Sequence, residues 1–350
     1  MTALAVVFWA SLGALVWTHA GYPIVWMALS RLVGRPVRAG ELLPTVTVII
    51  AAHNEETVIE RRISNLRALD YPAEKLRIVV TSDASTDSTD ERAAAAGALV
   101  ITNPRGGKVA AQDRAVRETQ SEIVAFSDAN ATWAPDALHE LVAAFADPDV
   151  AYACGRLRLD AAEGSNREGL YWRYELMLRE AESRVGSVTG GNGSIYAVRR
   201  SDYAEVDPRF GHDLSLPYLL VQRGRRAVYV PSAVAFEKPT PTNETEFRRK
   251  VRMFEHCWLI VGRGRMLRRL GLLYRVQIVS HRHLRYASGL LHVALLAASV
   301  ALATSGPVYL AALAVQGLVL AAAVAGAPIA RYYALISWAT VVSLWNVIRR

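Results

Sequence analysis

Apolar residues fall into distinct regimes along the chain, and each regime predicts a different kind of element. Residues 2–30 are apolar apart from a few small or polar positions and are followed by Arg31, Arg35 and Arg38. The run exceeds the roughly 20 residues a bilayer needs, and its positive charge follows it, whereas a cleaved signal carries its charge in front. It is read as one transmembrane helix, kinked at Pro23, with its C-terminal end in the cytoplasm.

From Pro44 to about Ala151 the pattern changes to short Val- and Ile-rich runs, Thr45–Ala51, Leu76–Ser82, Ala98–Thr102 and Glu122–Ser127. Between them lie stretches with helical spacing such as Val58, Ile59, Ile63 and Leu66. Alternating β and α units predict a mainly parallel sheet with helices on both faces. Residues 152–255 are more mixed, continuing from a strand near Val150–Leu159. They suggest a helix at Arg167–Val185, a turn at Gly190–Gly193, and strands at Ser194–Val198 and Ala227–Val230. A further helix is expected to begin near Asn243, capped with Glu246 three residues on.

Leu267, Leu270, Leu273 and Val276 then recur at helical spacing among Arg268, Arg269, Arg275 and Arg282. That pattern predicts a basic amphipathic helix over 265–285, lying at the headgroup level of a membrane. Residues 287–348 are apolar, broken by Gly306-Pro307 and Gly326–Pro328, and predict three further spans, with a two-span or partly re-entrant arrangement as the alternative. The expected domains are an N-terminal helix and linker (1–40), a cytoplasmic α/β domain (41–262), the interfacial helix (263–286) and a C-terminal transmembrane region (287–350).

Charge follows these boundaries. All 32 acids lie within 41–255, against 27 Lys plus Arg there, while residues 1–40 hold three Arg and residues 256–350 hold ten. The pI of 9.6 therefore belongs to the flanks. Nucleic-acid binding would need a basic stripe on the folded domain, which is mildly acidic, so the charge reads as membrane-flanking. Cys154 and Cys257 form no CxxC pattern and read as reduced structural thiols.

Candidate chemistry sits at strand ends. Ser82-Asp83-Ala-Ser-Thr-Asp87 follows the second run and Ser127-Asp128-Ala129-Asn130 the fourth. Ligands of open α/β sheets bind beyond the carboxyl ends of the strands, where such acids can meet a metal and the sugar-phosphate of a nucleotide. Ala52-His-Asn-Glu55 follows the first strand, and His212-Asp213 comes later.

In this order and strand context, the four motifs make residues 44–260 resemble the membrane-bound members of glycosyltransferase family 2, which have a GT-A fold. The resemblance implies roles for the matching residues. Glu55 and Asp83 would contact the nucleotide, and Lys108 of Gly106-Gly107-Lys108 would approach the donor. Asp128 and Asn130, at the D-x-D position, would hold Mg²⁺ or Mn²⁺ against the diphosphate, with an amide replacing the second carboxylate. Asp213 would be the base that deprotonates the acceptor in an inverting transfer. His212 stands where an acid is usual, and Ala111-Gln112-Asp113 stands for Ala-Leu-Asn. Gly191 would lie in the turn near the acceptor. Arg249 and Arg252 would reach the leaving diphosphate, in a stretch where the processive enzymes' Gln and Trp are Arg249 and Met253.

The expected partners are a nucleotide-sugar donor, a UDP-sugar foremost, a lipid or lipid-linked acceptor, and the membrane, with the protein a multi-pass cell-membrane enzyme. Two other readings stay open. One is a processive polysaccharide synthase, which Met253 and the few spans oppose. The other is a non-catalytic nucleotide-sugar-binding membrane protein, which Asn130 and His212 motivate.

Overall fold

A computed structural model describes the backbone of residues 2–159, 167–237 and 243–349, and the side chains of 2–158, 173–237 and 247–349. The first apolar run is helical from Thr2 to Leu32, as α1 (Thr2–Val16) and α2 (Tyr22–Leu32) joined by one π turn, Trp17–Gly21. Pro23 has no N–H to donate, and its ring crowds the carbonyl four residues earlier. That carbonyl belongs to His19, inside the wider turn, so the helix accommodates the proline by local widening.

The Val/Ile runs become strands because β-branched side chains suit a pleat buried on both faces. Strand β1 (Val46–Ala52) leads through α3 (Ile59–Arg67) to β2 (Leu76–Asp83), then through α4 (Thr89–Ala95) to β3 (Leu99–Asn103). After α5 (Lys108–Arg117) come β4 (Ile123–Asp128), the short β5 (Thr132–Trp133), α6 (Ala137–Ala143) and β6 (Val150–Leu159). Helix α7 (Arg167–Val185) precedes β7 (Tyr196–Arg199), α8 (His212–Gln222) and β8 (Arg226–Glu237).

The eight strands form one sheet in the order β3-β2-β1-β4-β7-β6-β8-β5. Strands β3, β2, β1 and β4 are parallel, while β7 is antiparallel to both β4 and β6. Side chains alternate across β1, with Val46, Val48 and Ile50 entering one apolar layer and Ile49 the other. In register, Ala51 faces Asp128 and Ala52 faces Ser82, so the acid-bearing ends of β2 and β4 flank the end of β1. Connections run outward from β1 to both sides, which opens a crevice at this edge.

Helix α9 (Asn243–Arg263) follows the sheet. The capping pair expected at Asn243 and Glu246 lies outside the described side chains. The helix expected over 265–285 begins only at Leu272, after turns in which Arg265 and Arg269 have positive φ. It runs as α10 (Leu272–Ile278), a π turn Val279–His283 and α11 (Leu284–Tyr286). Its buried face is also different, with Tyr274, Gln277, Ile278 and His281 inward and Leu273 exposed.

The cause is polar docking. Tyr274 donates to the Val188 carbonyl at 2.8 Å, Gln277 donates to that of Ser187 at 2.6 Å, and His281 meets Glu182 at 2.5 Å. Tyr22 of α2 also donates to Glu182, at 2.6 Å.

Helices α12 (Ser288–Ala301), α13 (Pro307–Val324) and α14 (Pro328–Arg349) complete the chain. Among the described residues, Thr2–Leu32 and Pro307–Val324 are long and apolar enough to cross a membrane. The pair Leu272–Tyr286 and Ser288–Ala301, bent by 64°, qualifies as a third if counted as one span. Helix α14 packs along α9, α12 and α13.

Candidate active site

The crevice is built outward from the end of β2. Asp83 is buried and does not cap the helix after it. Its Oδ1 accepts from the Gly106 and Gly107 N–H groups at 2.7 and 3.0 Å, and Arg105 pairs with its Oδ2 at 3.2 Å. Gly107 has φ +88°, a conformation that glycine adopts freely, and it turns the chain into α5. The carboxylate proposed from sequence for the nucleotide thus holds the loop that delivers Lys108. Asp87 does serve the first turn of α4, accepting from the Thr89 N–H at 3.0 Å.

Lys108, the first residue of α5, forms an ion pair with Asp128 at the end of β4. Burial would lower the pKa of the ammonium, but the bond and charge of Asp128, with Asp213 and Glu237 adding to them, raise it. The Asp128 and Glu237 carboxylates are also bridged by Ser194, whose hydroxyl donates to Glu237 and approaches Asp128 Oδ2 at 3.4 Å. Burial and the Asp128 charge push the Glu237 carboxyl above its usual range, and Lys108 and Arg249 partly offset them. Glu55 is raised by burial first, then by Asp128 and Asp87.

Glu237 was missing from the sequence reading. Strand β8 appeared to end before Pro231, yet it continues past it through register shifts against β6 and pairs with β5. The available signal was the alternation after the proline, in which Ala233 and Ala235 are buried. Arg62 was missed too. It is buried over the Trp133 ring at 4.9 Å, with Nε and Nη2 unpartnered, and burial pushes its pKa down to about 9 against the charge of Asp128.

Across the crevice, Asp213 lies in the first turn of α8, where the helix dipole favours an anion. The Gly191 N–H donates to its carbonyl at 2.7 Å, and Arg179 donates to the Gly191 carbonyl at 3.2 Å. A Cβ at Gly191 would lie 2.0 Å from the Tyr152 hydroxyl, so close backbone approach requires glycine there. His212 points away from the crevice into a buried network. Arg249 acts on Glu237, while Arg252 lines a separate cleft with Phe247, Arg248, Val251, Glu255 and Val342.

Asp128, Glu237, Ser194 and the exposed Asn130 offer only oxygen donors, the set a hard divalent cation takes. Among the described residues no group of three or more His, Cys, Asp or Glu side chains could hold an ion unaided. The donor set suits a cation whose remaining ligands are diphosphate oxygens.

Residues 47–206 match the family model described as glycosyl transferase family 2. The chain is 27% identical over 236 residues to an N-acetylglucosaminyltransferase of Rhizobium meliloti (strain 1021), covering 60% of this chain and 55% of that protein. It is 29% identical over 208 residues to a beta-monoglucosyldiacylglycerol synthase of a Synechocystis species, covering 54% of this chain and 42% of that one. The chain thus matches about half the length of these curated relatives. A mannosyltransferase from Pyrobaculum calidifontis, solved in complex with GDP-Man and Mn²⁺, superposes with a TM-score of 0.77 at 23% identity, covering 98% of this chain and 99% of that one. The shared fold is GT-A.

Proposed function

We infer that this chain, which belongs through residues 47–206 to glycosyl transferase family 2, transfers one sugar from a nucleoside-diphosphate donor to a lipid or lipid-linked acceptor with inversion. The observation that carries the reading is the Lys108–Asp128 ion pair at the carboxyl edge of the parallel strands, linked to Glu237 through Ser194.

In this reading Asp128 and Asn130 hold Mg²⁺ or Mn²⁺, which neutralises charge on the diphosphate when bound. Glu55 and the Asp83-held loop border the nucleotide, and Lys108 and Arg249 face the leaving group. Asp213 takes the proton of an acceptor hydroxyl. The freed oxygen lone pair forms the new bond to the anomeric carbon as the bond to the diphosphate breaks from the opposite face, and the nucleoside diphosphate leaves with that bonding pair.

The acceptor class is supported by three observations. Residues 272–286 are docked beside the acceptor loop 187–191, and the chain carries two candidate membrane helices. The Synechocystis relative is named for a lipid product. The domain at 41–262 would face the cytoplasm of a multi-pass protein, where nucleotide sugars are made.

The test is a panel of nucleotide sugars offered to purified protein with native lipid extract, read by nucleotide release and lipid mass spectrometry. Release of one nucleotide with one hexose mass added to a lipid supports the reading. Nucleotide binding without release across the panel supports the non-catalytic alternative.

A further inference from the structure

His212 opens α8 immediately before Asp213, yet it is only 3% exposed and both its ring nitrogens are engaged. Nε2 lies 3.3 Å from Asp113 Oδ1 and 3.3 Å from the Tyr203 hydroxyl, and Nδ1 lies 3.1 Å from the Tyr196 hydroxyl. Tyr203 donates to the same Asp113 oxygen at 2.5 Å, which leaves its hydroxyl without a second proton for the histidine. The Tyr203 oxygen is therefore placed to accept from Nε2–H, with the Asp113 carboxylate at ion-pair distance from the same nitrogen, while Nδ1 meets the Tyr196 hydroxyl.

The ring is also fixed sterically. Phe126 stacks on Tyr196 at 4.7 Å and meets the imidazole edge-on at 5.7 Å. Asp113 is itself 5% exposed, and none of its atoms or those of His212 is a buried orphan.

The two partners sit on different halves of the site. Asp113 belongs to α5, which begins with Lys108 on the donor side. His212 belongs to α8, whose next residue is Asp213 on the acceptor side. Both residues are also departures from the family pattern described above, and they contact each other: an acid stands where an amide is usual, and a base where an acid is usual.

We propose that Asp113 and His212 are a positioning pair, a buried strut that holds the donor helix α5 and the acceptor helix α8 in register and so fixes Asp213 relative to Lys108. The proposal rests on the glycosyltransferase reading of Asp213. Neither residue touches substrate; both act through Asp213. The Asp113–His212 contact, braced by the Tyr203 hydroxyl on both residues and by the Phe126 ring, leaves α8 little freedom to slide, and a misplacement of about 1 Å at a reacting group costs about 10²-fold in rate.

The test uses the full-length protein in nanodiscs. Asp113→Asn keeps shape and removes the charge, His212→Glu sets two carboxylates together, and the double substitution restores an amide-to-carboxylate hydrogen bond with its direction reversed. Each single substitution is expected to lower kcat about 10²-fold. Binding of UDP or GDP with Mn²⁺, measured by calorimetry, should stay within about threefold of the wild type. The double substitution should recover kcat at least about tenfold over either single one.

A structural role alone would lower nucleotide affinity and folded yield together, and would give no recovery. Either that pattern or kcat within about twofold of wild type in Asp113→Asn overturns the proposal.

Hydrogen exchange supplies a readout independent of turnover, so a wild type that turned over no nucleotide sugar would refute the function without leaving the strut undecided. Exchange in 187–195 and 212–222 should rise in Asp113→Asn and return towards wild type in the double substitution, with β1 unchanged. Unchanged exchange in both segments overturns the strut.

Discussion

Asp213 and Glu237 are both acids near one lysine, but their surroundings give them different work. Asp213 sits at a helix start and is partly open to the crevice, so Asp213→Asn keeps its shape and removes its basicity. Transfer should fall by about 10²–10⁴-fold with donor binding retained, measured by steady-state kinetics beside calorimetry of UDP or GDP with Mn²⁺.

Glu237 is raised by burial and by Asp128, so it holds its proton longer when folded than when unfolded. Below the ordinary glutamate range both states are protonated and nothing is gained or lost. As pH rises through that range the unfolded chain ionises first, and the native state becomes less favourable. Glu237→Gln should therefore raise Tm at pH 7, with the difference vanishing under acid conditions, while transfer drops. Equal Tm values across that pH range would show that Glu237 carries no such burden.

For the metal, Asp128→Ala should weaken Mn²⁺-dependent nucleotide binding more than Asn130→Ala, because a charged oxygen holds a divalent ion better than an amide. At this scale the sequence was most informative where an acid ends a strand, as at Asp83 and Asp128. It was least informative where the role depends on what lies opposite, as with Glu237, Arg62 and the inward turn of His212.

Elements were legible wherever one period dominated. The parallel strands β1, β2 and β4 fall within a residue or so of the expected runs, and β6 and α7 agree at both ends. Mixed signals misled. Pro231 suggested an end to β8 where a shift in register lets the strand continue, and leucine spacing suggested a helix face at 265–276 that polar docking onto Ser187, Val188 and Glu182 overrides.

The Gly190–Gly193 turn was legible as glycine-rich, but its reason was not: Tyr152 fills the space a side chain at residue 191 would need. Gly191→Ala should destabilise the protein by about 1–3 kcal/mol through overpacking, seen as a lower Tm, and should reduce transfer by moving the strand of backbone bonded to Asp213. A variant with wild-type Tm and rate would mean that the turn yields without consequence.

At the scale of the whole molecule, the charge map and the apolar runs divide the chain into a mildly acidic middle and basic, apolar flanks. The structure adds how they are joined. Tyr22 of α2 and His281 of the π turn after α10 meet on Glu182 of α7, and the Thr189 N–H beside the Gly190–Gly193 turn donates to the same carboxylate at 3.1 Å. The loop 187–191 is thus fastened to the apolar N-terminal helix and to the segment after α9, an arrangement that suits the lipid-borne acceptor of the proposed reading.

The proposed reading expects a single transfer, with Met253 in the place of a sugar-stacking aromatic and two candidate spans, three if the bent pair counts as one, among the described residues. The most direct measurement places the wild type and Asp213→Asn in sealed proteoliposomes with native lipid extract, Mn²⁺ and a panel of radiolabelled nucleotide sugars. Expected is release of one nucleoside diphosphate by the wild type, with label in an organic-extractable lipid bearing one sugar, and nucleotide binding without release by the variant. No turnover of any donor, undiminished turnover in Asp213→Asn, or a long extraction-resistant polymer inside the vesicles would contradict it.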